Sequence, residues 1–241
     1  MMRIALIGHG AMGRLVEARA LEEGHSVTLV LTSADMLQRV DEVAERLKEN
    51  ADVAIDFSVA DAVLNNISAC MSAGVPLVEG TTGWNRAGVN IERFVEKKQG
   101  ALLYGANFSV GVNLFYRIIE RAGELFKGLD DYAPFIEEAH HSRKKDAPSG
   151  TALRLRELLA ASIKREIPVT STRAGFIPGT HRVGFDSVAD QITLTHTARS
   201  REGFAAGALL GARWLRGRAG VYEFSEAFDE ILKERMMKKW L

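Results

Sequence analysis

The chain has 241 residues with 31 basic and 31 acidic side chains, so no net field favours nucleic acid or an anionic membrane. Its length supports a sizeable core in one or two domains. One cysteine, Cys70, excludes an intrachain disulfide framework and fits a reducing cytoplasm, while the N-terminus reaches Gly8 too early for a signal-peptide core and no apolar run approaches membrane-spanning length.

Arg3 to Ile7 is a short apolar run without alternation, as expected of a strand buried on both faces. Gly8-His9-Gly10-Ala11-Met12-Gly13 follows, and Leu15, Val16, Ala18, Ala20 and Leu21 then give helical periodicity up to Gly24. Strand, Gly-x-Gly-x-x-Gly, helix is the context that makes this motif a dinucleotide fingerprint. Gly8 allows the tight turn, Gly10 the approach of a pyrophosphate, and Gly13 the helix–strand contact.

The alternation continues with a strand at Val27 to Leu31, a helix at Met36 to Lys48, a strand at Val53 to Phe57, and a helix from Ala60 to Ala73 that stops at Gly74 before Pro76. A strand at Leu77 to Glu79 runs into Gly80-Thr81-Thr82-Gly83, and after a helix at Ile91 to Lys98 a strand at Ala101 to Tyr104 runs into Gly105-Ala106-Asn107-Phe108. Strands alternating with helices predict a doubly wound, Rossmann-like parallel sheet, in which ligands bind at the carboxyl ends of the strands. Both glycine-containing segments fall at such ends. The second strand closes on Thr32-Ser33, where an acidic residue normally meets the adenosine ribose. Without that carboxylate a 2′-phosphate meets no like charge, so NADPH is expected to be tolerated and even preferred over NADH.

After Phe108 the grammar changes. A long helix at Val112 to Phe126 precedes a strand at Tyr132 to Ala139, which feeds Glu137-Glu138-Ala139-His140-His141 and the charged stretch to Lys145. Pro148 and Ser149 ahead of Ala152, Leu155, Leu158 and Leu159 predict a helix start near Ser149, running to Lys164. The unpaired N–H groups there can hold a carboxylate, and two imidazoles and an ammonium beside it make an anion-binding, proton-donating site. A solvated loop with a surface histidine pair fits the same spacing. Adjacent strand residues face opposite ways, so His140 and His141 share a cleft only if the strand ends there.

Strand-like runs at Val169 to Phe176, His181 to Val188 and Gln191 to Thr197 then come without intervening helices, which predicts a mixed or antiparallel sheet in a second α+β domain for substrate binding and oligomerisation. The face bearing Thr193, Thr195 and Thr197 suits a subunit contact. A helix at Phe204 to Leu215, the segment Tyr222-Glu223-Phe224 and a final helix to Leu241 close the chain. The expected division is 1–107 plus 218–241 for the nucleotide domain and 108–217 for the second. No His/Cys/Asp/Glu group has metal-ligand spacing in sequence, and no Gly-x-Ser-x-Gly elbow follows a strand. The side chains of His9, His25 and His196 receive no chemistry.

These residues resemble the 4-hydroxy-tetrahydrodipicolinate (dihydrodipicolinate) reductase family of lysine and diaminopimelate biosynthesis over nearly the whole length. The likeness rests on the glycine motif, Ile55-Asp56-Phe57-Ser58, Gly80-Thr81-Thr82-Gly83, Ala106 to Asn113, Glu138-Ala139-His140-His141, Lys144 and Asp146-Ala147-Pro148-Ser149-Gly150-Thr151-Ala152. The resemblance implies a cytoplasmic homotetramer that reduces a cyclic, unsaturated dicarboxylate with NADH or NADPH. It implies that His140 is the family's proton donor/acceptor histidine and Lys144 its catalytic lysine. Lys144 is expected to donate the proton, with His140 as donor/acceptor or positioning group, and spacing leaves the reverse assignment open. His141, Lys144, Gly150 and Thr151 would contact substrate, and Gly8 to Gly13, Thr32, Ser33, Gly80 to Thr82 and Gly105 to Phe108 would contact cofactor. Thr32-Ser33 and Gly179-Thr180-His181 depart from the family pattern. The alternatives are another two-domain NAD(P)-dependent amino-acid or semialdehyde dehydrogenase, and a non-catalytic dinucleotide sensor.

Overall fold

A computed structural model describes residues 1–35, 39–84 and 90–237. The chain forms two compact units, Met1–Ser109 with Arg201–Leu241, and Val110–Ser200.

The first unit is built on a parallel six-stranded sheet. Its strands are β1 (Arg3–Ile7), β2 (Ser26–Leu31), β3 (Val53–Asp56), β4 (Leu77–Glu79), β5 (Ala101–Tyr104) and β10 (Gly220–Glu223), in the order β10-β5-β4-β3-β1-β2. All the pairings are parallel, so every strand's carboxyl end lies on one edge. Helices α1 (Ala11–Glu22), α2 (Val40–Asn50), α3 (Val63–Ala73) and α4 (Ile91–Lys97) connect the strands. The start of the helix expected over Met36 to Lys48 lies outside the described residues. Gly74 ends α3 in the left-handed conformation (φ 68°), as the Gly-x-Pro signal predicted. Ala5, Ile7, Ala54, Leu77 and Leu102 enter one core with Val43 and Leu47 of α2 and Ile67 and Cys70 of α3.

Helix α7 (Glu202–Leu215) belongs to this first unit, which corrects the expected boundary at residue 217. The reason is close packing. A Cβ at Gly207 would lie 1.7 Å from the Phe108 carbonyl oxygen, and one at Gly211 2.6 Å from the Leu103 side chain. Two glycines thus let α7 lie against the sheet, and their neighbours Ala208, Leu209 and Ala212 are fully buried. Helix α8 (Phe224–Met237) completes the unit, with Phe224 against Phe108 at 4.5 Å between ring centres.

The second unit holds α5 (Val110–Leu125), β6 (Ala133–His140), α6 (Gly150–Ser162), β7 (Val169–Arg173), β8 (Thr180–Asp186) and β9 (Gln191–Thr197). Its sheet is mixed, in the order β7-β6-β8-β9, with β7 parallel to β6 and the other pairs antiparallel. The α6 crossover lets β6 and β7 run in one direction. One sheet face packs on α5 and α6 through Ile136, Val183, Phe185, Ile119, Leu155 and Leu159. On the other face Thr170, Thr172, Arg182, Thr193, Thr195 and Thr197 are exposed. The apolar-in, polar-out alternation read from β9 thus marks a sheet with one covered face.

Candidate functional site

Strand β6 ends at His140, so its ladder carries Glu138 and His140 on one face and stops before His141. Register supplies the neighbours. Glu138 stands opposite Ser171 on β7 and His181 on β8, and His140 stands opposite Arg173. The Glu138 side chain is buried, and its Oε1 accepts from the Ser149 N–H at 3.1 Å, Ser171 Oγ at 2.7 Å and Arg173 Nη2 at 2.6 Å. Burial pushes this carboxyl up, but the bonds from Ser149, Ser171 and Arg173 outweigh it and bring the pKa down to about 2. The other oxygen, Oε2, lies 3.2 Å from His140 Nε2 and 3.8 Å from His181 Nε2, and has no hydrogen-bond partner among the described residues.

His140 Nε2 lies 3.4 Å from His181 Nε2, and Gly179 makes room for the ring: a Cβ there would sit 3.0 Å from His140 Cε1. Burial lowers the His140 pKa, helped by the nearby Lys144 and Arg173 cations against the pull of Glu138. Burial also lowers His181, to about 4. Both rings are therefore neutral near pH 7. Lys144 lies in the loop after β6, with Nζ 2.8 and 2.9 Å from the two Asp146 carboxylate oxygens, and its side chain is a quarter exposed. The Asp146 carbonyl accepts from Arg173 Nη2 at 2.6 Å, which ties this loop to β7.

Helix α6 starts where the sequence predicted, with Ser149 as its N-cap: Ser149 Oγ accepts from the Ala152 N–H at 3.2 Å. A Cβ at Gly150 would meet nothing within 4 Å, so a ligand can approach this helix end. The Thr151 hydroxyl is hydrogen-bonded to the Tyr116 phenol, and His141 has a buried Nδ1 without a partner among the described residues. His140, Lys144 and the α6 start therefore come together around Glu138. Sequence spacing does not mark Glu138, Arg173 and His181 as functional residues, although Glu138 carries a signal, two places before His140 on a strand. The contribution of Arg173 and His181 is set by strand register, which sequence spacing does not show.

In the first unit Gly8 to Gly13, Thr32-Ser33, Gly80 to Thr82 and Gly105 to Phe108 follow β1, β2, β4 and β5 on the shared carboxyl edge. Gly8 has φ 84°, and a Cβ there would lie 2.6 Å from the Phe57 carbonyl oxygen. A Cβ at Gly13 would lie 2.2 Å from the Gly8 carbonyl oxygen, whereas at Gly10 it would meet nothing within 4 Å. Gly10 is also the N-cap of α1, without a side-chain cap and without an acid in the first turn. Open backbone donors at a helix start fit a dinucleotide pyrophosphate. The Phe108 ring is 1% exposed and packs on Phe224, so that residue offers a ligand its backbone rather than its ring.

Two features here were not expected. Asp35 folds back onto the β2 tip, its Oδ2 accepting from the Thr32 N–H (2.8 Å) and Thr32 Oγ (2.9 Å) and its Oδ1 from Arg46 Nη1 (2.7 Å). Beneath the loop after β4, Asp56 and Glu79 are a buried, hydrogen-bonded pair of carboxyls. Asp56 accepts from the Ser58 N–H at 2.8 Å and Asn66 Nδ2 at 2.6 Å, and Glu79 from the Thr81 N–H at 2.6 Å. Burial and the Asp56 charge push Glu79 up to about 10, so it carries the pair's proton.

A Rossmann-like unit with a dinucleotide glycine turn, joined in one chain to an α+β unit, is the build of many two-domain pyridine-nucleotide oxidoreductases, and sequence comparison decides the class. The model "Dihydrodipicolinate reductase, N-terminus" matches residues 2–108 and "Dihydrodipicolinate reductase, C-terminus" residues 111–228. The 4-hydroxy-tetrahydrodipicolinate reductase of Christiangramia forsetii is 36% identical, covering 96% of this chain and all of its own. That of Thermosipho africanus is 35% identical over 95% of this chain and 99% of its own. This chain belongs to the dihydrodipicolinate reductase family. The fold agrees with a solved dipicolinate-bound dihydrodipicolinate reductase from Paenisporosarcina sp. TG-14, with a TM-score of 0.74 at 20% identity over 92% of this chain and 98% of that one. A probable dehydrogenase from Thermotoga maritima shares the fold more loosely, with a TM-score of 0.61 at 11% identity over 97% of each chain.

Proposed function

We propose that the protein reduces 4-hydroxy-tetrahydrodipicolinate to tetrahydrodipicolinate in diaminopimelate and lysine biosynthesis, in the cytoplasm, as a homotetramer. The observation that carries this reading is the convergence of His140, Lys144 and the open α6 start in one segment of the second unit. A ring with two carboxylates needs anion-binding donors, and its reduction needs a proton source beside them. The backbone donors at Gly150 and Thr151 take one carboxylate, with His141 and Lys144 as further contacts. The 4-hydroxyl must first leave as water, which gives the conjugated ring. A bound nicotinamide would then supply a hydride at that carbon, and the enamine-like ring that results needs one proton at the adjacent carbon.

Lys144 is the proton donor in this reading. Its ammonium is partly exposed and held by an Asp146 carboxylate, whereas His140 turns Nε2 inward to Glu138 and His181. His140 then orders the site around the substrate. Both nucleotides serve as cofactor, with NADPH favoured. The Asp35 carboxylate is occupied by Thr32 and offset by Arg46, so it does not confront a 2′-phosphate.

Oxidation of NADPH by the purified protein, followed in parallel with the cyclic dicarboxylate and a panel of 2-keto acids and semialdehydes, tests this reading. Turnover confined to the cyclic dicarboxylate is expected. Turnover on the panel alone, or none at all, overturns it. A kcat/KM for NADH well above that for NADPH overturns the cofactor preference. The exposed threonine-rich sheet face supports the tetramer, and light scattering that finds only monomer overturns it.

A further inference from the structure

We infer that Glu138, His140 and His181 form a binding site for one zinc-like divalent transition-metal ion, and that the ion holds the reductase inactive. Three donor atoms converge: Glu138 Oε2, His140 Nε2 and His181 Nε2, at 3.2, 3.4 and 3.8 Å from one another. Ligands about 2.0–2.1 Å from a tetrahedral zinc ion are about 3.3–3.4 Å apart, so this triangle has the size of one tetrahedral face.

Burial points the same way. Glu138 is 3% exposed and His181 4%, and Glu138 Oε2 faces this centre with no hydrogen-bond partner among the described residues. A buried carboxylate oxygen without a donor is costly, and an ion offsets that cost. The other oxygen is already fixed by Ser149, Ser171 and Arg173, which orients the free one.

The donor set selects the metal. Two imidazoles and one carboxylate favour zinc, cobalt or nickel over magnesium or calcium, which take oxygen ligands. The fourth vertex is left for water. Lys144 and Arg173 lie near and repel a cation, so the site is suited to reversible occupancy rather than to a permanent structural ion. Occupation immobilises His140, and this consequence rests on the function proposed above.

The test uses the full chain, stripped with a chelator and titrated with Co(II) in the absence of nucleotide and substrate. One equivalent per chain is expected, with the intense visible bands of a low-coordinate site, displaced by Zn(II). His181→Gln and Glu138→Gln should each weaken binding at least tenfold. Because either variant could unfold, imidazole nitrogen resonances of the unaltered protein are followed during Zn(II) addition. Among its six histidines, His140 and His181 should shift. Absence of the bands, binding that survives both substitutions, or shifts confined to other histidines overturns the site. Zn(II) should also stop NADPH oxidation, with recovery on chelation. A cobalt spectrum without inhibition overturns the inhibitory role of the ion and leaves the reductase reading standing, whereas an enzyme without turnover before any metal is added counts against that reading alone.

Discussion

The difference between Lys144 and His140 lies in where each reactive nitrogen points. Lys144 Nζ is partly exposed and paired with Asp146, and His140 Nε2 is turned into a buried cluster. Lys144→Ala should therefore lower kcat by roughly two to four orders of magnitude while the protein stays folded. Steady-state kinetics beside a thermal melt check this, and an unchanged kcat would rule Lys144 out as the proton source. Glu79 gives a residue-scale prediction for stability. The folded chain keeps a proton on Glu79 up to about pH 10, whereas the unfolded chain releases it near the usual carboxylate value of 4.5. The unfolded state then binds fewer protons, so this group makes stability fall as pH rises between those values, at up to about 1.4 kcal/mol per pH unit. Glu79→Gln keeps a donor toward Asp56 and an acceptor for the Thr81 N–H but removes the titration. Melting curves from pH 5 to pH 9 should show the variant gaining on the unaltered protein as pH rises.

Among the elements, the two helix starts separate ligand contact from packing. Gly13→Ala places a Cβ 2.2 Å from the Gly8 carbonyl oxygen and should destabilise the fold by about 1–3 kcal/mol. Gly10→Ala meets open space and adopts the extended N-cap conformation without strain, so its melting point should change little while the nucleotide KM rises at least tenfold. Melting and cofactor titration of the pair check this. Ser149→Ala removes the α6 cap and should cost about 1 kcal/mol, or roughly 2–4 °C in a chain of this size. The starts of both helices were legible in sequence because cap residues and glycine spacing are local signals. So was the parallel sheet, because strand and helix alternate along the chain. The Glu138 cluster was not, since His181 reaches it across 41 residues from His140 by antiparallel register. Metal-ligand spacing was absent from the sequence for that same reason. The domain to which helix α7 belongs is not legible in the sequence, because an apolar periodic helix shows that it is buried and not where. Its packing on α1 and on β3 to β5, made close by Gly207 and Gly211, decides that.

At the scale of the whole molecule, the chain leaves the first unit after Ser109 and returns at Arg201. Strand β10, the last strand of the first sheet, pairs with β5 in parallel, Gly220 opposite Ala101 and Glu223 opposite Tyr104. Helix α7, which covers β3, β4 and β5, arrives just before it. All four strands of the second sheet are complete by Thr197. During synthesis, then, the interrupting segment has its full complement of partners in hand while the interrupted one still waits with a bare edge at β5. A ribosome-arrested chain in which residues 1–200 are followed by a linker long enough to span the exit tunnel should resist protease across 110–200 and be cut within 1–109, and the full chain on the same linker should be protected in both. The order of folding is set in this way by where the chain was opened to admit an insert, and it runs against the order of the residues.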